Sequence, residues 1–253
     1  MRWWPALVLI LLPFAGFSEE VVLGLSKDKV AITTSFDGSE ILIFGAVKRE
    51  KPIPSDSPLE VIVTVSGPLE PVIVRRKGYK YGIWINVDSL NIDHAPVFYA
   101  VATSGPIDKV LTDTEDLRQK ITIDRAIRSV GAPDDIKDAA TFTDAVIRIR
   151  QNAGLYQTLI GKVAVDQQTL FRTSVKMPAN LTEGDYTTRI FLTRNGKIIS
   201  SYETSIDVRK VGLERWLFSL SRENPMLYGL MSLAIAIAAG WGASAVFRLA
   251  RNS

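Results

Sequence analysis

The chain has 253 residues, with 30 lysines and arginines against 27 aspartates and glutamates, one histidine and no cysteine. A formal charge of +3 is too small to argue for nucleic acid as a partner. The missing cysteines exclude disulfide staples and thiolate chemistry, and a single histidine leaves little for a zinc site or a Ser-His-Asp set.

MRWWPALVLILLPFAGFSEE opens the sequence. Arg2 supplies a positive start, Ala6 to Phe17 an apolar core too short to span a bilayer comfortably, and Gly16 and Ser18 small residues for cleavage before Glu19. The pattern predicts a signal peptide over 1–18, with an uncleaved N-terminal anchor as the alternative. An exported eukaryotic domain of this size usually carries disulfides, so a cysteine-free one points to a bacterial periplasm.

From Val21 to Gly105 the sequence breaks into seven β-rich runs, VVLGLS, KVAITTSF, EILIFGAV, LEVIVTVSG, PVIVRRKG, YGIWINV and PVFYAVATSG. Turn residues at Gly38, Pro52, Gly67 and Gly78 and over Asn86–Asp93 separate them, which is the signature of an antiparallel β-sandwich. In EILIFGAV both Ile41/Ile43 and Leu42/Phe44 are apolar, so this strand is read as central. Arg75, Arg76, Lys77 and Lys80 gather around Gly78, close to Tyr79, Tyr81 and Trp84. Such a basic, aromatic tip suits anionic lipid, an oxyanion or an acidic partner, or is simply a solvated hairpin end.

Residues 107–154 are more polar and do not alternate. Thr141 with Asp144 resembles a capping box, Phe142, Val146, Ile149 and Ala153 recur at helical spacing, and Asp144 and Arg148 are four apart as an ion pair would be. A second helix is predicted from Thr114 to Val130, stopped by Gly131 and Pro133. These helices read as an insertion between two β regions.

Further on, Asn195-Gly196 is the favoured pair for a two-residue hairpin turn, between the alternating runs Tyr186, Thr188, Ile190, Leu192 and Ile198, Tyr202, Ile206, Val208. Leu181, Gly184 and Tyr186 form an L-x-x-G-x-Y arrangement that resembles the tyrosine corner of immunoglobulin-like sandwiches, a structural role. The fold class expected is mainly β: immunoglobulin-like antiparallel sandwich domains with a helical insertion and one C-terminal transmembrane helix. A first sandwich over 19–106 and a second immunoglobulin-like region over 155–210 are favoured over a single interrupted one, because seven runs suffice for the first.

Over 211–224, Leu213, Trp216, Leu217 and Leu220 share one helical face, as in an amphipathic helix lying in a membrane interface; a plain linker helix is the alternative. No charged residue occurs from Leu227 to Phe247, and a helix of that length is roughly 30 Å long, the thickness of a bilayer's hydrocarbon core. The transmembrane helix is therefore placed at 225–248, with a cytoplasmic tail at 249–253. Ser232, Ala236, Gly240 and Ser244 fall at four-residue spacing along it, a candidate packing seam for another helix. The signal peptide sets the orientation: the bulk of the chain periplasmic, single-pass in the inner membrane.

Asp88, Asp93 and His94 lack the spacing of a metal site, and there is no G-x-S-x-G elbow or Walker or dinucleotide glycine pattern. No catalytic residue, metal or cofactor is expected.

Taken together, ILIFGAV, VIVTVSGP, VIVRRKGYKYGIWIN, FYAVATS, LFRTSVKMPANLTEGDY and the closing PMLYGL with GW resemble the putative transmembrane protein family of alphaproteobacteria, Alph_Pro_TM. The resemblance runs over nearly the whole exported and anchored chain and implies a signal peptide, a periplasmic region and one C-terminal span. It also implies genes beside a permease similar to sulfite exporters of the TauE/SafE type, and carries over no catalytic residues. The expectation is a non-enzymatic, membrane-anchored periplasmic accessory protein that meets membrane lipid and an integral-membrane partner, a permease or a second copy of itself. The alternative is a periplasmic module binding a small anion or envelope polymer through the basic tip; an enzyme of unfamiliar type is the third.

Overall fold

Alternation builds the sheets: LFRTSVKM, from Leu170 to Met177, buries Phe171, Thr173, Val175 and Met177 and exposes every residue between them, as a strand with one face on a core must. The computed structural model describes residues 19–33, 36–49, 57–127 and 138–251, with backbone only at 213–215, 218 and 245–251. The signal peptide over 1–18, the turn at Pro52 and the helix stop at Gly131 and Pro133 lie outside the described residues.

Strands β1 (Glu20–Leu25), β3 (Ser39–Lys48), β10 (Leu170–Met177) and β9 (Ala164–Asp166) form a four-stranded antiparallel sheet in that order. A six-stranded sheet runs β2 (Lys29–Ile32), β12 (Lys197–Lys210), β11 (Gly184–Arg194), β4 (Glu60–Ser66), β7 (Tyr99–Thr103) and β8 (Tyr156–Leu159), with β2 and β8 joined in parallel. Between the sheets lies one core, with Ile41, Ile43, Phe171 and Val175 from the first and Val61, Val63, Tyr186 and Ile190 from the second.

Two separate β units are thus replaced by one sandwich. β3 pairs with β10 and β4 with β11, so both sheets combine strands from before and after the helical region. The reason is a matter of supply. Two of the seven early runs, β5 (Leu69–Lys80) and β6 (Ile83–Pro96), leave the sandwich and pair only with each other, so the first region lacks the strands to close its own core. β3 is central in its sheet, as its composition suggested, but Leu42 and Phe44 face outward.

β4 is buried on both faces, because the six-stranded sheet carries a second apolar layer. There Ile62, Tyr99, Val101 and Phe191 meet Ile92 and Ala95 of the hairpin and Val110, Leu111, Ile121 and Ile123 of the inserted region. The helix expected from Thr114 is broken in two, α2 (Asp113–Gln119) and α3 (Ile123–Ala126), and a further short helix, α1 (Ile107–Val110), precedes it. The buried Asp116 explains the break: its carboxylate accepts the N–H groups of Ile121 at 3.0 Å and Thr122 at 2.8 Å, while Lys120 turns left-handed at φ 52°, which diverts the backbone from the helix. Tyr99 pins the turn to the sheet by donating to the Ile121 carbonyl at 2.7 Å.

Helix α4 (Ala139–Asn152) starts earlier than a cap at Thr141 would place it. Asp138 holds the N-cap position, and the Thr141 hydroxyl donates to its carbonyl at 2.8 Å. Phe142 and Val146 are buried, but Ile149 is exposed.

Two features lock the sandwich. Tyr186 is buried and its hydroxyl donates back to the Thr182 carbonyl at 2.7 Å, while Gly184 (φ 152°) leaves Pro68 space that a Cβ would invade to 2.3 Å. Glu19, the first residue after the expected cleavage point, accepts from Arg49 and Arg194, each at 2.9 Å. That nearly buried triad ties the start of β1 to the ends of β3 and β11.

Candidate functional site

The β5–β6 hairpin divides into two halves. Its inner half buries Leu90 and packs Ile92 and Ala95 against the six-stranded sheet. α4 and β8 hold it from the side: Tyr156 of β8 donates to the Pro96 carbonyl at 2.8 Å, and Arg150 of α4 donates to the same carbonyl and to the Tyr156 hydroxyl. Beyond this support, no residue from Lys77 to Asn86 is buried. The outer half is an arm of four residue pairs closed by a two-residue turn, roughly 13 Å of strand at about 3.3 Å per residue.

Its register assigns the faces. Lys77 lies opposite Asn86 and Tyr79 opposite Trp84, whereas Gly78 lies opposite Ile85 and Lys80 opposite Ile83. Each face therefore combines a lysine with exposed apolar side chains. Tyr79 and Trp84 meet edge-on with centroids 5.4 Å apart, and Trp84 keeps 67% of its surface exposed and Ile83 61%.

Gly78 is not the turn it resembled; it sits inside β5, where an added Cβ would come within 2.8 Å of Val87. The chain turns instead at Tyr81-Gly82, with φ angles of 52° and 84°. This is the geometry of a type I′ turn, which favours Asn or Gly at its first central position. Tyr81 occupies it fully exposed, at 100%.

Of the tip residues expected from sequence, the structure gathers Lys77, Tyr79, Lys80, Tyr81 and Trp84 on the arm and leaves Arg75 exposed at its root. Arg76 is drawn away. Its guanidinium pairs with Asp88 at 2.8 Å and Asp138 at 2.5 Å and lies 4.7 Å from the centre of the Phe142 ring. The two carboxylates raise its pKa, and in return the Arg76 hydrogen bond holds Asp138 below the usual carboxylate range. Sequence reading passed over Ile83 and Ile85, although GIWIN carries the alternation that marks them.

At the other end, α5 (Leu213–Glu223) leads into α6 (Pro225–Arg251), with Trp216 about half exposed. Pro225–Ser244 is long and apolar enough to cross a membrane, and none of it is buried within the chain. Leu227, Leu230, Leu233, Ile235, Ile237 and Trp241 are all exposed. Along the seam of Ser232, Ala236, Gly240 and Ser244, a Cβ on Gly240 would meet nothing within 4 Å.

Exposed apolar side chains around a helix of this length have one suitable solvent, the hydrocarbon of a bilayer. The family model described as "Putative transmembrane protein (Alph_Pro_TM)" matches residues 20–249. The chain belongs to this family. Its match takes in the sandwich, the arm and the apolar helix together. No curated protein matches the chain.

Proposed function

We propose that this protein is a non-enzymatic interaction module, anchored by α6 and exposed to the periplasm, which presents the β5–β6 arm to an integral-membrane partner. The observation that carries this reading is the arm's surface. Tyr79, Tyr81, Ile83 and Trp84 stand in solvent on a braced hairpin, where stability alone favours polar residues. Tyrosine and tryptophan on a rigid support are also the side chains that dominate protein interfaces. A permease of the TauE/SafE type is the partner proposed, and the small-residue seam of α6 offers it a second contact within the bilayer.

The test is copurification of the full-length chain from gently solubilised membranes, with three variants beside the wild type: Trp84→Ala, Tyr81→Asn and a chain whose span is an unrelated apolar helix. Loss of one membrane protein from the Trp84→Ala and Tyr81→Asn samples, with normal insertion, is the expected result. An unchanged set of copurifying proteins in both overturns the arm as the docking surface. Loss only on replacing the span moves recognition to the seam.

A further inference from the structure

The four-stranded sheet turns an apolar face to solvent. Val22, Leu42, Phe44 and Leu170 each keep between 43% and 56% of their surface exposed, on strands whose outward side is ordinarily polar. They adjoin one another: Val22 and Leu170 flank Ala46 in one row, and Phe44 and Leu42 follow along β3. The Phe44 ring lies across Gly24 of β1, where an added Cβ would meet it at 2.5 Å, so the face stays low enough for another sheet to approach.

The rows of this face are mixed in character. Glu40 of β3 lies opposite Lys176 of β10, Phe44 opposite Arg172, and Ala46 opposite Leu170. Arg172 is held only loosely, by Asp166 at 4.0 Å with both side chains exposed. Each row thus sets an acid beside a base, a ring beside a guanidinium, or a small residue beside a large one, and such rows make the face complementary to itself. A two-fold axis parallel to the strands, in front of the gap between β3 and β10, lays β3 of one copy on β10 of the other. Glu40 then meets Lys176 of the second copy, Phe44 meets the stem and guanidinium of Arg172, and Leu170 fills the space over Ala46.

The position of α6 selects the same axis. β12 finishes beside Gly184, the start of β11, which the chain reaches directly from the end of β10 at Met177. The chain therefore leaves the sandwich for α5 and α6 at the Glu40–Lys176 end, and a two-fold along the strands carries that end onto itself. Both copies then send α6 into one bilayer, where confinement raises their effective concentration. We infer that the outer face of the four-stranded sheet is the interface of a homodimer, with β3 of each copy laid on β10 of the other. The β5–β6 hairpin packs on the far side of the sandwich, against the six-stranded sheet, so the dimer leaves both arms free and stands whether or not they dock a partner.

The experiment is energy transfer between donor-labelled and acceptor-labelled full-length chains in phosphatidylcholine vesicles, over a range of protein-to-lipid ratios. The chain has no cysteine, so Ser205→Cys, exposed on the six-stranded sheet, carries the dye away from the proposed interface. Transfer that saturates with protein density is expected. Phe44→Lys puts a charge into the interface and Glu40→Lys sets lysine against lysine; each should weaken the dimer at least about tenfold. Glu40→Lys/Lys176→Glu restores the pairing and should recover it. These positions are exposed, and an unchanged circular dichroism spectrum checks the fold. Transfer no greater than chance proximity in the wild type overturns the dimer. Equal transfer in wild type, Phe44→Lys and Glu40→Lys overturns this face as its interface, and loss on Gly240→Leu instead assigns self-association to the α6 seam.

Discussion

Two hairpins in this chain turn through the same left-handed pair of residues and serve opposite ends. Between β11 and β12, Asn195 at φ 49° and Gly196 at φ 73° make the turn, and the strands behind it bury Tyr186, Ile190, Leu192, Ile206 and Val208 in the sandwich core. Between β5 and β6, Tyr81 and Gly82 make it, and the residues next to it, from Lys77 to Asn86, bury nothing. Asparagine tolerates the left-handed region, whereas other L residues lose about 1–2 kcal/mol there. The first hairpin follows what folding favours. The second keeps a strained, fully exposed tyrosine, and the interaction surface proposed above gives that tyrosine a use.

The sharpest break between the two comes from truncating one isoleucine in each. Ile190→Ala opens a cavity in a fully buried site and is expected to cost about 2–5 kcal/mol. Ile83→Ala removes an exposed side chain and should stay within about 0.5 kcal/mol. Thermal unfolding of the full-length chain in nanodiscs measures both. A large loss from Ile83→Ala contradicts the assignment of the arm as free surface.

Exchanging the turn residues inverts the comparison at smaller scale. Asn195→Tyr is expected to destabilise by about 1 kcal/mol, and Tyr81→Asn to stabilise by a similar amount. If Tyr81→Asn also raises the unfolding temperature while it abolishes copurification, stability and recognition are opposed at that one residue.

A third prediction probes what holds the core hairpin. Losing the Tyr186 hydroxyl bond to Thr182 should cost about 1 kcal/mol at neutral pH. Burial pushes the Tyr186 pKa up to about 12, above the usual value near 10, so the neutral phenol is favoured in the folded state. Its contribution is complete below pH 10 and is lost as pH rises toward 12. The gap in unfolding temperature between wild type and Tyr186→Phe should therefore narrow above pH 10; a constant gap at alkaline pH refutes burial as the cause.

The contrast also explains which parts of the molecule could be read from sequence. All seven early runs are strands, because each carries its own apolar signal, although Gly78 lies inside β5 and Asn86–Asp93 inside β6 rather than in turns. Their partners could not be read, since β3 and β10 meet across more than a hundred residues and nothing local in EILIFGAV names LFRTSVKM. Asn195-Gly196 was plain because its residues are the ones the turn prefers. Tyr81-Gly82 was hidden by its tyrosine, and nearby Gly78 offered the more familiar punctuation. The setting of Arg148 was invisible for the same reason as the pairing: it looked like half of a helical pair with Asp144, and only the packing of α4 on β5 brings it near Val74.

The smallest expected effect lies where arm and support meet, at the Arg76–Asp138 clasp. Asp138 is held below the usual carboxylate range, chiefly by its hydrogen bond from Arg76. The clasp therefore contributes above about pH 4, the usual value of the free carboxylate, and is lost as pH falls through the lower folded value. Asparagine caps a helix about as well as aspartate, so Asp138→Asn removes the charge and spares the start of α4. The unfolding temperatures of wild type and Asp138→Asn should differ slightly at pH 7 and converge below pH 4; a gap that persists in acid assigns it to the cap instead.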